Sequence, residues 1–175
     1  MTITDASHRD TTQVVAGPDP RAQTKRLSGR ILVNGSLCKA QTDAEIEVIH
    51  PGDRSVIGSA PQCGKVDVDL AVEAARKAQL MWRKVPARDR GRMLQKAADA
   101  VEKQRDIVER VLALDTGNAL RTQARPETGS AIDLTRMFGG LAGELKGETV
   151  PAATPNVLHY TTRDPIGVIA GIIPW

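Results

Sequence analysis

Aromatic side chains are almost missing from this sequence: one Phe, one Tyr and two Trp among 175 residues. A core without them rests on Ala, Val, Leu and Ile, buries less area per residue and gains less stability from it. That scarcity points to an incomplete folding unit. Cysteine is equally sparse, and two thiols, Cys38 and Cys63, exclude a disulfide scaffold. The three histidines, at 8, 50 and 159, stand far apart, and neither C-x-x-C nor H-E-x-x-H occurs, so no metal site is expected. The longest apolar run, Ile166 to Trp175, has ten residues and is too short to cross a bilayer. The opening MTITDASHRD lacks the apolar segment of a secretory signal. A reducing, soluble, cytoplasmic setting is therefore expected, without a membrane partner. Nor is there an excess of one charge: the net charge is +3. The basic residues of 76–110 are diluted by Asp89, Asp99, Glu102, Asp106 and Glu109, and no aromatic is interleaved for base stacking. This pattern describes solvated helix faces and excludes a nucleic-acid partner.

What is present divides at about residue 28. Residues 1–28 are polar, contain GPDP and show no periodicity, which predicts a flexible N-terminal tail. Residues 29–175 read as one partial domain. Ile31–Val33 before Asn34-Gly35, and Ile46–Ile49 before Pro51-Gly52, predict two short strands with turns. Apolar residues at helical spacing predict helices near 67–84, 88–114 and 126–146. The second is interrupted near Gln104 and stopped by Gly117. GGLAG at 139–143 falls inside the third stripe and reads as close helix packing, since it lacks the G-x-G-x-x-G spacing of a phosphate cradle. Residues 157–163 have the composition of a strand. IGVIAGII, after Asp164-Pro165, is apolar on both alternating faces, as in a strand of a covered parallel sheet. Such a strand needs neighbours reached by crossovers, and their absence predicts that the chain is truncated. The fold class is thus α/β, mostly helical with short strands.

A nucleophilic cysteine needs a stabilised thiolate and a nearby base. Cys38 beside Lys39 and Cys63 in PQCGK offer neither clearly, and both read as incidental loop thiols. No catalytic residue is assigned.

The segment YTTRDPIGVIAGIIPW, 160–175, resembles the stretch of the aldehyde dehydrogenase superfamily that ends in Ile-x-Pro-Trp-Asn. Several other segments agree in order: VNG at 33–35, VDVDLAVEAARKAQLMWRKV, the Asp-Thr-Gly of 115–117, and FGGLAGELKGETVP. The likeness covers roughly residues 30–175. It departs at HPGD, 50–53, where the family usually has Asn-Pro-x-Thr-Gly, and at Gly139, usually alanine. The resemblance implies the N-terminal portion of the aldehyde dehydrogenase fold, carrying part of an incomplete Rossmann-like cofactor domain, with 157–163 as an oligomerisation strand. It implies NAD or NADP as cofactor, a small aldehyde as substrate and a homo-oligomer for a complete relative. There, a cysteine thiolate attacks the aldehyde, an asparagine and a backbone N–H stabilise the oxyanion, and a glutamate activates water. None of those groups has a counterpart here. Ile172, Ile173, Pro174 and Trp175 are the residues the resemblance places against the cofactor, and the isolated chain is expected to be inactive. The competing reading is a non-catalytic helical interaction or regulatory module that retains the family's oligomerising surface. A module selected to stand alone should cover or charge its edge strand, and IGVIAGIIPW is uncharged.

Overall fold

The computed structural model describes residues 19–173. It opens with a helix where none was expected: α1, Pro20–Leu27. The Asp19 carboxylate accepts a hydrogen bond from the Arg21 N–H at 3.0 Å, and Pro20 fills the first turn, where a missing N–H is harmless. GPDP carries both a turn signature and this cap-and-proline signature, and the second prevails because α1 finds tertiary partners. Thr24 Oγ1 donates to the Ile57 carbonyl at 2.6 Å, and Arg21 pairs with Asp53 at 2.9 Å. The expected tail is corrected for residues 20–27; residues 1–18 lie outside the described range.

Two antiparallel hairpins follow. In the first, β1 (Arg30–Val33) pairs with β2 (Ser36–Lys39) across Asn34-Gly35, both at positive φ, as a two-residue turn between twisted strands requires. In the second, β3 (Glu45–Ile49) pairs with β4 (Val56–Pro61), with an irregularity at Val48/Ile49. Only β1 and β3 were expected. β2 is a four-residue strand exposed along its length, and β4 carries Gly58 and Pro61, so neither shows strand propensity without its partner.

The loop joining β3 to β4 holds the HPGD departure, and its side chains anchor it. His50 Nδ1 donates to the Leu114 carbonyl at 2.6 Å. Asp53 accepts from the hydroxyl and N–H of Ser55 and from Arg21. The hydroxyl bond, the backbone bond and the Arg21 charge all favour the carboxylate, and they hold its pKa down to about 2 from the usual 3.8. A depressed pKa contributes stability that is complete above the unfolded value and is lost as pH falls through the folded one. The docking of α1 on this loop is therefore expected to loosen between about pH 4 and pH 2. Asp53→Asn should remove that acid step, read from the Ser55 and Arg21 amide shifts during an NMR titration. A wild-type profile matching that of Asp53→Asn would remove Asp53 from the account.

The helical part begins with α2, Lys65–Trp82. Buried Asp67, in its first turn, accepts from Gln41 N at 2.8 Å and from Gly64 N at 3.0 Å. One carboxylate thus caps the helix and ties it to the β2–β3 loop, a contribution of about 1 kcal/mol. The long second stripe is two helices, α3 (Ala87–Lys103) and α4 (Arg105–Thr116), because Gln104 leaves the helical region at φ −104°, ψ 11°. Gly117 ends α4 at φ 74°, with Pro51 packed where a side chain would project. A π-helical turn, Leu120–Ala124, leads into α5, Arg125–Leu141, and a 3₁₀ turn closes it at Ala142–Glu144.

α3 packs against α5 across two glycines. A Cβ on Gly91 would lie 2.4 Å from the Gly139 carbonyl oxygen, so GGLAG serves close helix packing. The buried apolar side chains among the described residues are Ile57, Ala98, Ala124 and Ile132, a thin core without an aromatic.

The last third of the predicted strand content changes most. Within 157–163 only His159–Tyr160 (β6) pairs, with Thr149–Val150 (β5). Residues 166–173 form no strand at all. Both-sided apolarity suits a covered strand, but a ladder needs a neighbouring strand, and the described residues provide none.

Candidate functional site

The residues expected at the cofactor lie at the end of this unpaired run. Gly167, at φ 107°, bends the chain so that Val168 faces the end of α2. There Ala78, Gln79, Trp82, Val85, Gly167 and Val168 line a cavity of about 530 Å³. The contact is apolar and partial: Val168 is 42% exposed, whereas Ile166 remains 90% exposed. Beyond it the chain leaves the body, with Ile172 fully exposed and Ile173 76% exposed. Pro174 and Trp175 lie outside the described residues. The structure thus brings the start of the run onto α2 and leaves Ile172 and Ile173 free of other side chains.

Those two residues fit one part of a dinucleotide. Their exposed branched side chains suit the flat face of a ring, and they carry no donor for phosphate oxygens. GGLAG does not supply one, because Gly139 is buried against α3.

The thiols sit elsewhere. Cys38 is exposed on β2, its Sγ 3.7 Å from the Ile31 carbonyl, and Cys63 is exposed in the loop before α2. Neither hydrogen-bonds a basic side chain among the described residues. His50 is occupied by the Leu114 carbonyl and His159 lies on β6. Among the described residues no three His, Cys, Asp or Glu side chains come together as a metal-binding group, and no helix is long and apolar enough to cross a membrane. The charges of 76–110 pair locally, Asp89 with Arg92 and Asp106 with Arg110, as solvated helix faces do.

Sequence reading missed the ion-pair network joining α3, α4 and α5. Buried Glu109 accepts from Arg105 Nε at 2.8 Å and from Arg125 Nε at 3.3 Å. Arg105 also meets Glu102 at 3.1 Å, and Arg136 reaches Glu102 and Asp99. Bonds from Glu109 first and Glu102 second push the Arg105 guanidinium further up its already high range. The available signal was the spacing of Glu102, Arg105 and Glu109 at i, i+3 and i+7, which puts all three on one helical face.

Helices over short antiparallel hairpins, leading into an apolar run without sheet partners, define part of an α/β protein. A model described as the aldehyde dehydrogenase family matches residues 38–175. An aldehyde dehydrogenase of Alternaria alternata is 38% identical over 146 residues, covering 83% of this chain and 29% of the relative. Mouse aldehyde dehydrogenase 1A1 is 33% identical over 163 residues, 91% of this chain and 32% of its own length. Among solved structures, a putative aldehyde dehydrogenase from Burkholderia cenocepacia superposes with a TM-score of 0.75 at 34% identity, over 80% of this chain and 28% of that one. A betaine aldehyde dehydrogenase from Staphylococcus aureus in complex with NAD+ gives 0.73 at 26% identity, over 79% and 28%. The chain belongs to the aldehyde dehydrogenase family, and so by family to the oxidoreductases. It spans about 29% of the length of the first curated relatives it matches, and its architecture is that of an N-terminal part of their fold.

Proposed function

We propose that this chain supplies the N-terminal, helix-rich part of an NAD(P)-dependent aldehyde dehydrogenase and leads residues 166–175 into the dinucleotide site. The carrying observation is the exposed apolar run leaving α2 at Val168, within the region matched to the family. Ile172 and Ile173, followed by Pro174 and Trp175, line the cofactor, and the run belongs to a Rossmann-like sheet. The bound dinucleotide supplies hydride acceptance; the chain's residues position it and exclude water from one side of its rings. The substrate is a small aldehyde. The protein works in the cytoplasm as a homo-oligomer, joined through the 157–163 segment, where Val157, Leu158 and Tyr160 are exposed. By itself the chain is inactive, since neither exposed thiol has a base beside it.

Two measurements test this reading. The purified chain, given NAD+ or NADP+ and a panel of aldehydes, should produce no reduced cofactor above the buffer rate. Turnover that disappears in Cys38→Ala or Cys63→Ala would overturn the assignment of those thiols. When the chain is joined in frame to the part of the Alternaria alternata enzyme beyond the matched region, aldehyde oxidation should appear. In that protein Ile172→Asp should raise the KM for dinucleotide about tenfold, roughly 1.4 kcal/mol of binding, with less effect on the KM for aldehyde. Equal effects on both would remove Ile172 from the cofactor site.

A further inference from the structure

The chain exposes far more surface than its size calls for. A compact monomer of 18.8 kDa has roughly 8,300 Å² of accessible surface; this chain has 14179 Å². With residues 1–18 and 174–175 counted at the full area of an unfolded chain, roughly 3,100 Å², an excess on the order of 3,000 Å² is left. That is the scale of obligate interfaces, well beyond transient ones.

The excess has a recognisable chemistry at residues 166–173. Ile166 and Ile169 are 90% and 73% exposed, and at the end of α2 beside them Leu80 and Met81 are 53% and 68% exposed. No residue from Ile166 to Ile173 is charged, so the matching face is apolar. The backbone of the run carries N–H and C=O groups without ladder partners among the described residues, and a sheet edge would satisfy them. A second copy of the chain offers no suitable edge of that kind, because its described sheets are two-stranded and antiparallel. The remaining part of the family fold, about 70% of a relative by length, is the natural source of one.

We propose that α2 and residues 166–173 dock, in trans, onto a separate polypeptide carrying the complementary part of an aldehyde dehydrogenase fold, with 166–173 adding a strand to its sheet. This rests on the family reading above.

The test mixes the 175-residue chain with a polypeptide comprising the Alternaria alternata enzyme beyond the matched region, refolded together. Size-exclusion chromatography with light scattering and hydrogen exchange are the readouts. A one-to-one complex is expected, with amides of 166–173 protected about tenfold or more, and Ile169→Asp should weaken it about tenfold. Ile169 is exposed, so this change leaves the chain's own packing intact. Absence of a complex, a complex insensitive to Ile169→Asp, or a homodimer that the added polypeptide does not displace would each overturn the proposal. The in-frame fusion separates the causes. An active fusion with no association in trans defeats docking alone; a fusion unable to bind NAD+ or NADP+ defeats the cofactor reading and the docking proposal with it.

Discussion

Gly91→Ala is expected to destabilise the helical layer by about 3 kcal/mol, the upper part of the usual cost of overpacking. The new Cβ would sit 2.4 Å from the Gly139 carbonyl oxygen and 3.1 Å from Ala142 Cβ. The first of these is backbone of α5, itself held in a helical hydrogen-bond ladder, so no rotamer change relieves the clash. α3 and α5 must separate, and the contact around Ala98 and Ile132, half of the buried apolar core, opens with them. Gly139→Ala is a milder case. Its Cβ meets Gln95 Nε2 at 2.9 Å and the Gly91 carbonyl at 3.1 Å. The amide can swing away at the cost of its 2.8 Å bond to the Arg136 carbonyl, so a loss of about 1 kcal/mol is expected. Gly140→Ala is the control: it has open space and a helical position, and a gain of about 0.5–1 kcal/mol is expected. Urea unfolding followed by circular dichroism gives all three. Equal stabilities for Gly91→Ala and Gly140→Ala would mean that α3 and α5 do not cross at these glycines.

That crossing shows how far sequence reading reaches. Helical periodicity locates α2 through α5 because each is long enough for a stripe to repeat, and Gln104 and Gly117 mark the break and the stop. The same reasoning identifies GGLAG as packing, but it cannot find Gly91 on the opposite side, since a close approach involves two helices and the spacing of one. Short elements are less legible. α1 lies within a single turn-rich motif, and β2 and β4 gain strand geometry only from β1 and β3. Residues 166–173 show the reverse failure. Their composition is that of a covered strand, and composition reports the environment a segment is suited to, while its conformation depends on partners being there. The candidate site is legible for the same reason only as a motif: Ile172 and Ile173 are exposed, and nothing in their local pattern distinguishes a cofactor wall from a bare sheet edge.

Glu109→Ala is expected to cost about 2 kcal/mol, less than the 3–5 kcal/mol of breaking a fully buried ion pair. Glu109 is 5% exposed and is the only carboxylate among the described residues that contacts both Arg105 and Arg125. Its removal leaves two guanidinium groups facing each other without the intervening charge. Both arginines are partly open to water, their side chains 41% and 48% exposed, so solvent offsets part of the loss and sets the lower figure. The converse change is the more damaging one. With Arg105→Met and Arg125→Met together, the Glu109 carboxylate stays where water cannot reach it and loses both donors, which is the costlier half of the asymmetry in burying charge. Replacing all three by Met should recover much of that loss, because an apolar trio leaves no group unsatisfied. Gly129 bounds the space available: a Cβ there would lie 2.9 Å from Arg105 Nη2, so the guanidinium has little freedom to find another acceptor. A thermodynamic cycle over the three sites, by urea unfolding, should give strong coupling between Glu109 and each arginine. If the double-arginine variant proves no less stable than Glu109→Ala, the carboxylate is hydrated in solution and the network does not hold α3, α4 and α5 together.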